Sequence, residues 1–369
     1  MKSYVILLIV LVVAAAIGYI YLNDSHGSSN LKIIQVNGIS EINSVQDMGN
    51  GKLLLSGAYL DGNQIVGVVG TYYLFNHSFV PLPINLTDGS VYDASFNGTT
   101  FGIAGAQYVN TTLQVRILLY SNGKLYNLTP LISDFYQVGQ AYFAQPYENG
   151  WLFGGTSFTI GINQRGLQYP FLILYNGTIK DLTPNLPQPF RPLGVADTLD
   201  TLSVSGNQFL VGGGNLNATL ASYDGQFENL SLGIPGVILA SSPIPGGWLV
   251  GGTIFGDQGG NQLIYTYLAT INASGVRQVN LSYQLGLVTA VAYGGGEYAV
   301  ALRVPFNSPT STPREGAVLL VGHSLHLLKE VYEQANASIT DLEISHGVLY
   351  ASGYSTLSGN RQAFLLVYS

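Results

Sequence analysis

The chain has 369 residues and a net charge of -7, and only 9% of its residues are charged, where about a quarter is usual. With 13 Lys and Arg in total, nucleic acid and anionic surfaces are poor partners. The lack of cysteine rules out disulfides, thiolate metal sites and a cysteine nucleophile.

The segment from Tyr4 to Leu22 carries no charge and is long enough to span a bilayer as a helix, which predicts a membrane anchor over residues 1–22. Ala14-Ala15-Ala16 offers a small-residue cleavage site, so a signal sequence is the alternative. Against it, apolar character continues to Leu22, beyond where a signal peptide ends. Lys2 as the flanking cation leaves the N-terminus cytoplasmic and the chain after Asn23 outside the cell membrane. Residues 23–30, Asn-Asp-Ser-His-Gly-Ser-Ser-Asn, read as a polar spacer.

Glycosylation sequons agree with an outside location. They fall at Asn76, Asn85, Asn97, Asn110, Asn127, Asn176, Asn217, Asn229, Asn272, Asn280 and Asn336. A chain rich in Asn and Thr also produces such triplets by composition.

From Leu31 a period of about 50 residues begins, in the range that marks propellers and solenoids. A short apolar run ending in glycine or another small residue recurs at Lys52–Gly57, Phe101–Gly105, Trp151–Gly155, Gln208–Gly213, Trp248–Gly252, Glu297–Leu302 and Val348–Gly353, which makes seven units. A second strand precedes a turn at Asn122-Gly123, Asn176-Gly177 and Asp224-Gly225, the dipeptides of tight hairpins. A third ends in Asn127-Leu128-Thr129-Pro130, Asp181-Leu182-Thr183-Pro184 and Asn229-Leu230-Ser231-Leu232. An inner strand falls before each glycine run, at Val91–Phe96, Ala141–Ala144 and Leu287–Tyr293. Four short strands per unit predict an all-β fold, a seven-bladed β-propeller of four-stranded antiparallel blades over residues 31–369, preceded by one transmembrane helix. Leu325–Gln334 comes closest to helical periodicity and is short. The last unit lacks its outermost strand, which Leu31–Val36 or Ile39–Ile42 is expected to supply, closing the ring with strands from both ends of the chain.

This order, a strand ending in a glycine pair, a tyrosine-capped strand, a turn and a closing strand, resembles the kelch repeat of kelch domains and galactose-oxidase-like propellers. Gly154-Gly155, Gly212-Gly213 and Gly251-Gly252 match the double glycine, and Tyr175 and Tyr223 match the tyrosine. The family's closing-strand tryptophan is absent; Trp151 and Trp248 stand instead at the start of the glycine-pair strand. The family's copper chemistry uses a tyrosine cross-linked to cysteine, so the resemblance implies the fold and not that activity. In general style the chain also resembles surface proteins of thermoacidophilic archaea.

Two sets of residues could carry function. Asp47, Asp93, Asp200 and Asp341 each precede a glycine run by a similar interval, and a ring of them in the channel would attract a cation such as calcium; turn capping explains the same residues. Asn63, Gln64, Asn261, Gln262, Asn360 and Arg361 fall in hairpins beside Tyr59, Phe255 and Tyr354. Amides beside aromatic rings suit neutral hydroxylated ligands such as sugars, and turn propensity again competes. The histidines read as turn and surface residues, and no Gly-x-Ser-x-Gly elbow appears. The scarcity of carboxylates suggests tolerance of an acidic exterior.

The leading expectation is a non-catalytic surface module that binds a protein or a glycan. A glycan-active lyase or hydrolase using channel carboxylates is the rival, and a structural component of the cell envelope the third possibility.

Overall fold

The computed structural model describes residues 31–160, 166–190, 198–214, 217–258, 261–306, 314–357 and 360–369. The expected anchor over residues 1–22 and the spacer over 23–30 lie outside these. Among the described residues no helix is long and apolar enough to cross a membrane.

Seven antiparallel sheets follow one another along the chain. Blade 1 is built from Glu41–Gly49, Lys52–Asp61, Gln64–Tyr73 and Ser78–Pro81, with a short extra strand, Leu86–Thr87, on its third. Blades 2 to 6 repeat the meander, with inner strands Gly89–Phe96, Gly139–Tyr147, Leu199–Ser205, Gly236–Ile244 and Leu287–Gly294. Blade 7 has Ala337–Ser345 innermost, then Val348–Leu357 and Asn360–Tyr368. Its fourth strand is Leu31–Gln35, with Leu31 opposite Tyr368 and Gln35 opposite Phe364. Of the two expected candidates the first therefore closes the ring, and Ile42 instead belongs to the inner strand of blade 1.

The second and third strands read as unbroken apolar runs because blades stack face to face and bury them on both sides. Leu53, Leu54 and Leu55 are all at most 1% exposed. Seven apolar clusters result, one at each blade interface. Trp151 illustrates the packing. It stands on Gly102 of the neighbouring blade, where an added Cβ would collide with the indole, and it is 4% exposed. Burying an aromatic of this size contributes about 2–3 kcal/mol. Leu325–Gln334 runs into the strand Lys329–Ala335 and forms no helix.

The Leu-Thr-Pro and Leu-Ser endings form a recurrent latch. Leu128 and Leu182 drop into blade interfaces at 3% and 2% exposure. The next hydroxyl then takes a ladder position: Thr129 accepts from the Ile117 N–H at 3.0 Å, Thr183 from Leu172 at 2.9 Å and Ser231 from Leu220 at 3.3 Å.

The glycine pairs also have a packing reason. A Cβ on Gly155 would collide with the carbonyl oxygen of Gln140, and one on Gly213 with that of Thr198. The second glycine lies where the inner strand swells toward its neighbour. In six blades a glycine holds this place; blade 6 has Leu302 instead.

Candidate functional site

The swelling is a β-bulge, and every inner strand has one at the same place. One residue is inserted between Ile42 and Ser44, Val91 and Asp93, Ala141 and Phe143, Leu199 and Thr201, Ile238 and Ala240, Val288 and Ala290, and Ile339 and Asp341. A bulge bends its strand and re-aims the extra side chain. The seven inserted residues, Asn43, Tyr92, Tyr142, Asp200, Leu239, Thr289 and Thr340, all line one mouth of the central channel, a cavity of about 460 Å³.

The mouth has two unlike arcs. Blades 5 and 6 present Leu239, Ala240, Ala290 and Val291, with the hydroxyls of Ser241 and Thr289 among them. The other blades present mainly hydroxyls, phenols, amides and carboxyls, with Phe143, Leu202 and Ile339 between them. Tyr142 donates to Gln140 Oε1 at 2.5 Å, and Gln140 Nε2 donates to the Tyr92 oxygen at 2.7 Å. Burial, reinforced by nearby Glu41 and Tyr108, pushes the Tyr92 phenol up to about 12; burial and then the charge of Asp200 push that of Tyr142 upward. Both phenols therefore stay protonated donors. Because Tyr92 accepts from Gln140, its own O–H remains to donate elsewhere.

The opposite mouth, about 360 Å³, is lined by Gln46, Ser95, Ser203, Ser242, Tyr293 and Glu343 among others. Asp93, Gln145, Leu202, Ser241, Val291 and Asp341 border both cavities and form the waist.

The waist carboxyls have a structural task. An inner strand is the edge of its sheet, and its free N–H groups need acceptors. Side chains of adjacent blades supply them. Asp93 accepts from Ala144 N–H at 2.9 Å and from Gln145 Nε2 at 3.0 Å, and Asp341 accepts from Val45 N–H at 2.9 Å. Ser44 serves Ala94, Gln46 serves Phe96, Ser242 serves Tyr293, and Glu343 serves Asp47 in the same way. Protein surrounds both aspartates except at the lumen, and this desolvation raises Asp93 and pushes Asp341 up to about 8, its neighbour's charge adding to the effect. Glu343 is raised to about 7, again mainly by burial.

The four sequence-selected aspartates thus divide. Asp93 and Asp341 meet at the waist and Asp200 sits at the first mouth, taking the Thr198 hydroxyl. Asp47 belongs to the far end, where its side chain faces His346 at 3.4 Å. Among the described residues no group of three or more His, Asp or Glu is placed to hold a metal ion, and the calcium ring does not assemble from these four.

The hairpin amides also separate. Asn63 lies at the turn before Gln64 and borders a groove of about 290 Å³ with Ile65, Asp88, Ser90, Tyr92, Tyr108 and Gln140. That groove adjoins the first mouth, since Tyr92 borders both. Asn261 and Gln262 lie in the blade 5 hairpin, opposite Gln258 and Asp257. Asn360 opens the third strand of blade 7, and Arg361 stacks on Tyr354 with 4.5 Å to the ring centre and pairs with Glu41. Arg361 is thereby a contact between blades 7 and 1.

Ten of the eleven sequon asparagines are exposed, and Asn336 is half-buried. Many are also turns: Asn76, Asn97, Asn127, Asn229 and Asn272 each accept the N–H two residues on. Asn followed by Ser or Thr at that spacing is a turn device here.

No family model matches the chain, and no curated protein matches it. Among solved structures, the acylaminoacyl peptidase of Pyrococcus horikoshii aligns at 9% identity with a TM-score of 0.53, over 88% of this chain and 50% of the peptidase. The chain thus spans half the length of that enzyme. The structure of YjhT aligns at 9% identity with a TM-score of 0.44, over 76% of this chain and 93% of the other. At this identity the likeness to the peptidase concerns the propeller fold alone.

Proposed function

We propose that the chain is a non-catalytic, membrane-anchored surface module of kelch-like style that binds a neutral, hydroxyl-rich ligand, a glycan, at the first mouth of its channel. The observation that carries this reading is the split lining. The relay from Tyr142 through Gln140 to Tyr92 provides fixed hydrogen bonds, and the other side of the mouth is mainly apolar, with Leu239, Ala240, Ala290 and Val291 beside the hydroxyls of Ser241 and Thr289. Sugar rings have both kinds of surface. Among the described residues no Lys, Arg or His borders the mouth, and these offer an acidic ligand no counter-charge.

The position of the N-terminal strand supports the orientation. Leu31 lies beside Tyr368, which pairs with Leu349 at the end of the blade that carries Glu343 and Ile344. That is the far end of the channel. An anchor over residues 1–22 and a spacer over 23–30 would then leave the ligand mouth facing away from the bilayer, with the sequons Asn76 to Asn336 outside.

Calorimetric titration of the full chain with a panel of neutral sugars tests the reading. Tyr92→Phe and Tyr142→Phe remove one hydrogen bond each and are expected to weaken binding about fivefold to tenfold. Equal affinity in wild type and both variants would sink it. The rival, a glycan-active lyase or hydrolase, is favoured by the raised Asp93 and Asp341 carboxyls, and release of reducing ends from a neutral polysaccharide would select it instead.

A further inference from the structure

The groove beside the mouth has features that blade packing does not require. It lies between blades 1 and 2, holds about 290 Å³, and is walled by Asn63, Ile65, Ser90, Tyr92, Tyr108 and Gln140. Tyr108 is 57% exposed and Ile65 50% exposed, so an aromatic ring and an aliphatic side chain stand on a surface where neither completes a core.

The groove is continuous with the mouth. Tyr92 borders both cavities, and Gln140, which fixes Tyr92, borders the groove. We propose that this groove is a second sugar subsite joined to the mouth across Tyr92, so that the ligand is a neutral oligosaccharide and not a single sugar. The inference rests on the mouth being a glycan site.

Three features select this chemistry. Among the described residues the lining contains Asp88 as its one charged residue and no cation, which disfavours acidic sugars, phosphates and acidic peptides. Tyr108 offers a face for stacking, with the Asn63 amide and Ser90 hydroxyl as hydrogen-bonding groups around it. A peptide would dock as an added strand only where a sheet edge is free, and here the edge is taken. Val66 and Gly67 pair with Thr87 and Leu86, and Tyr108 N–H donates to Asp88 at 2.8 Å. Each cavity is also near the small end of the roughly 300–1,000 Å³ of ligand pockets, which suits sugar rings in sequence.

Titrating the full chain with neutral mono-, di-, tri- and tetrasaccharides of one series tests the proposal, with Tyr108→Ala as the variant. Tyr108 is exposed, and an unchanged thermal midpoint confirms that the variant folds. Affinity is expected to rise with chain length in wild type. Tyr108→Ala should abolish that rise, a loss of about tenfold for the longer sugars, while monosaccharide affinity stays the same. If longer sugars gain nothing, or gain equally in the variant, the groove is not a subsite and the mouth reading survives. If longer sugars bind through Tyr108 but Tyr92→Phe and Tyr142→Phe have no effect, the groove stands and the mouth reading falls. Binding of a peptide panel through Tyr108, with no sugar bound, overturns both.

Discussion

The Asp341 carboxylate of blade 7 accepts the Val45 N–H of blade 1 at 2.9 Å, and its other oxygen accepts the N–H of Leu342, also at 2.9 Å. One side chain therefore satisfies two backbone groups on either side of the seam where the ring closes. Asp341→Ala would leave both without that acceptor, with an expected cost of about 1–3 kcal/mol in urea unfolding. An unchanged midpoint would mean that lumen water replaces the carboxyl at no cost.

Stability should rise on acidification. The folded pKa of Asp341 is about 8 against 3.8 for the free side chain, and that of Glu343 about 7 against 4.5. The native state therefore holds protons that the unfolded chain has released. The resulting stability is complete below about pH 4 and is lost as pH rises through about 7 to 8, with a slope of at most about 1.4 kcal/mol per pH unit for each group. Unfolding midpoints measured from pH 8 down to pH 5 are expected to climb, and Asp341→Asn, which cannot titrate, should flatten the climb. A maximum near pH 8 in the wild type would contradict the assignment. Sparse surface carboxylates alone suggest only indifference to acid; the channel turns that into a preference.

Gly155→Ala and Gly213→Ala should destabilise by about 1–3 kcal/mol, because each new methyl meets a carbonyl oxygen of the bulged inner strand. The bulge next to Gly155 aims Tyr142, so Gly155→Ala should also weaken ligand binding at the mouth. Differential scanning calorimetry and the sugar titration measure the two effects separately.

Removing the N-terminus up to Asn30 should leave the ring intact, whereas a chain that starts at Val36 loses the strand Leu31–Gln35. Leu31 and Ile34 would no longer cover the blade 7 interfaces, at an expected cost of about 2 kcal/mol. The bared edge of Asn360–Tyr368 should promote self-association. Thermal unfolding and size-exclusion chromatography of the two truncations check this, and equal behaviour would show the strand to be dispensable.

The repeat, the blade count and the closing strand were legible because glycine pairs, Asn-Gly turns and Leu-Thr-Pro endings are local signals, each imposed by one contact that recurs in most blades. The mouth was not. Asp93 and Asp341 both lie twelve residues before the glycine opposite the bulge, Asp200 thirteen before its own and Asp47 ten. Across a one-residue bulge those small differences move a side chain from waist to mouth to far end. Tyr92 and Tyr142 were passed over for the same reason: each looks like one tyrosine among 25 until the bulge turns it toward the axis. The signal that would have found them is position, the residue just before the one twelve ahead of the second glycine.

The pairing of Leu31 with Tyr368 also fixes an order of events in time. The strand of the ring that is made first is the last to find its partner, since that partner, Asn360–Tyr368, is the final strand of blade 7. Until then the apolar faces of the end blades have no neighbour, and closure must bring together the most distant parts of the sequence, the slowest kind of contact to form. The complete ring can therefore form only once Asn360–Tyr368 has been made, and chains halted short of that strand are the ones that should accumulate and be degraded.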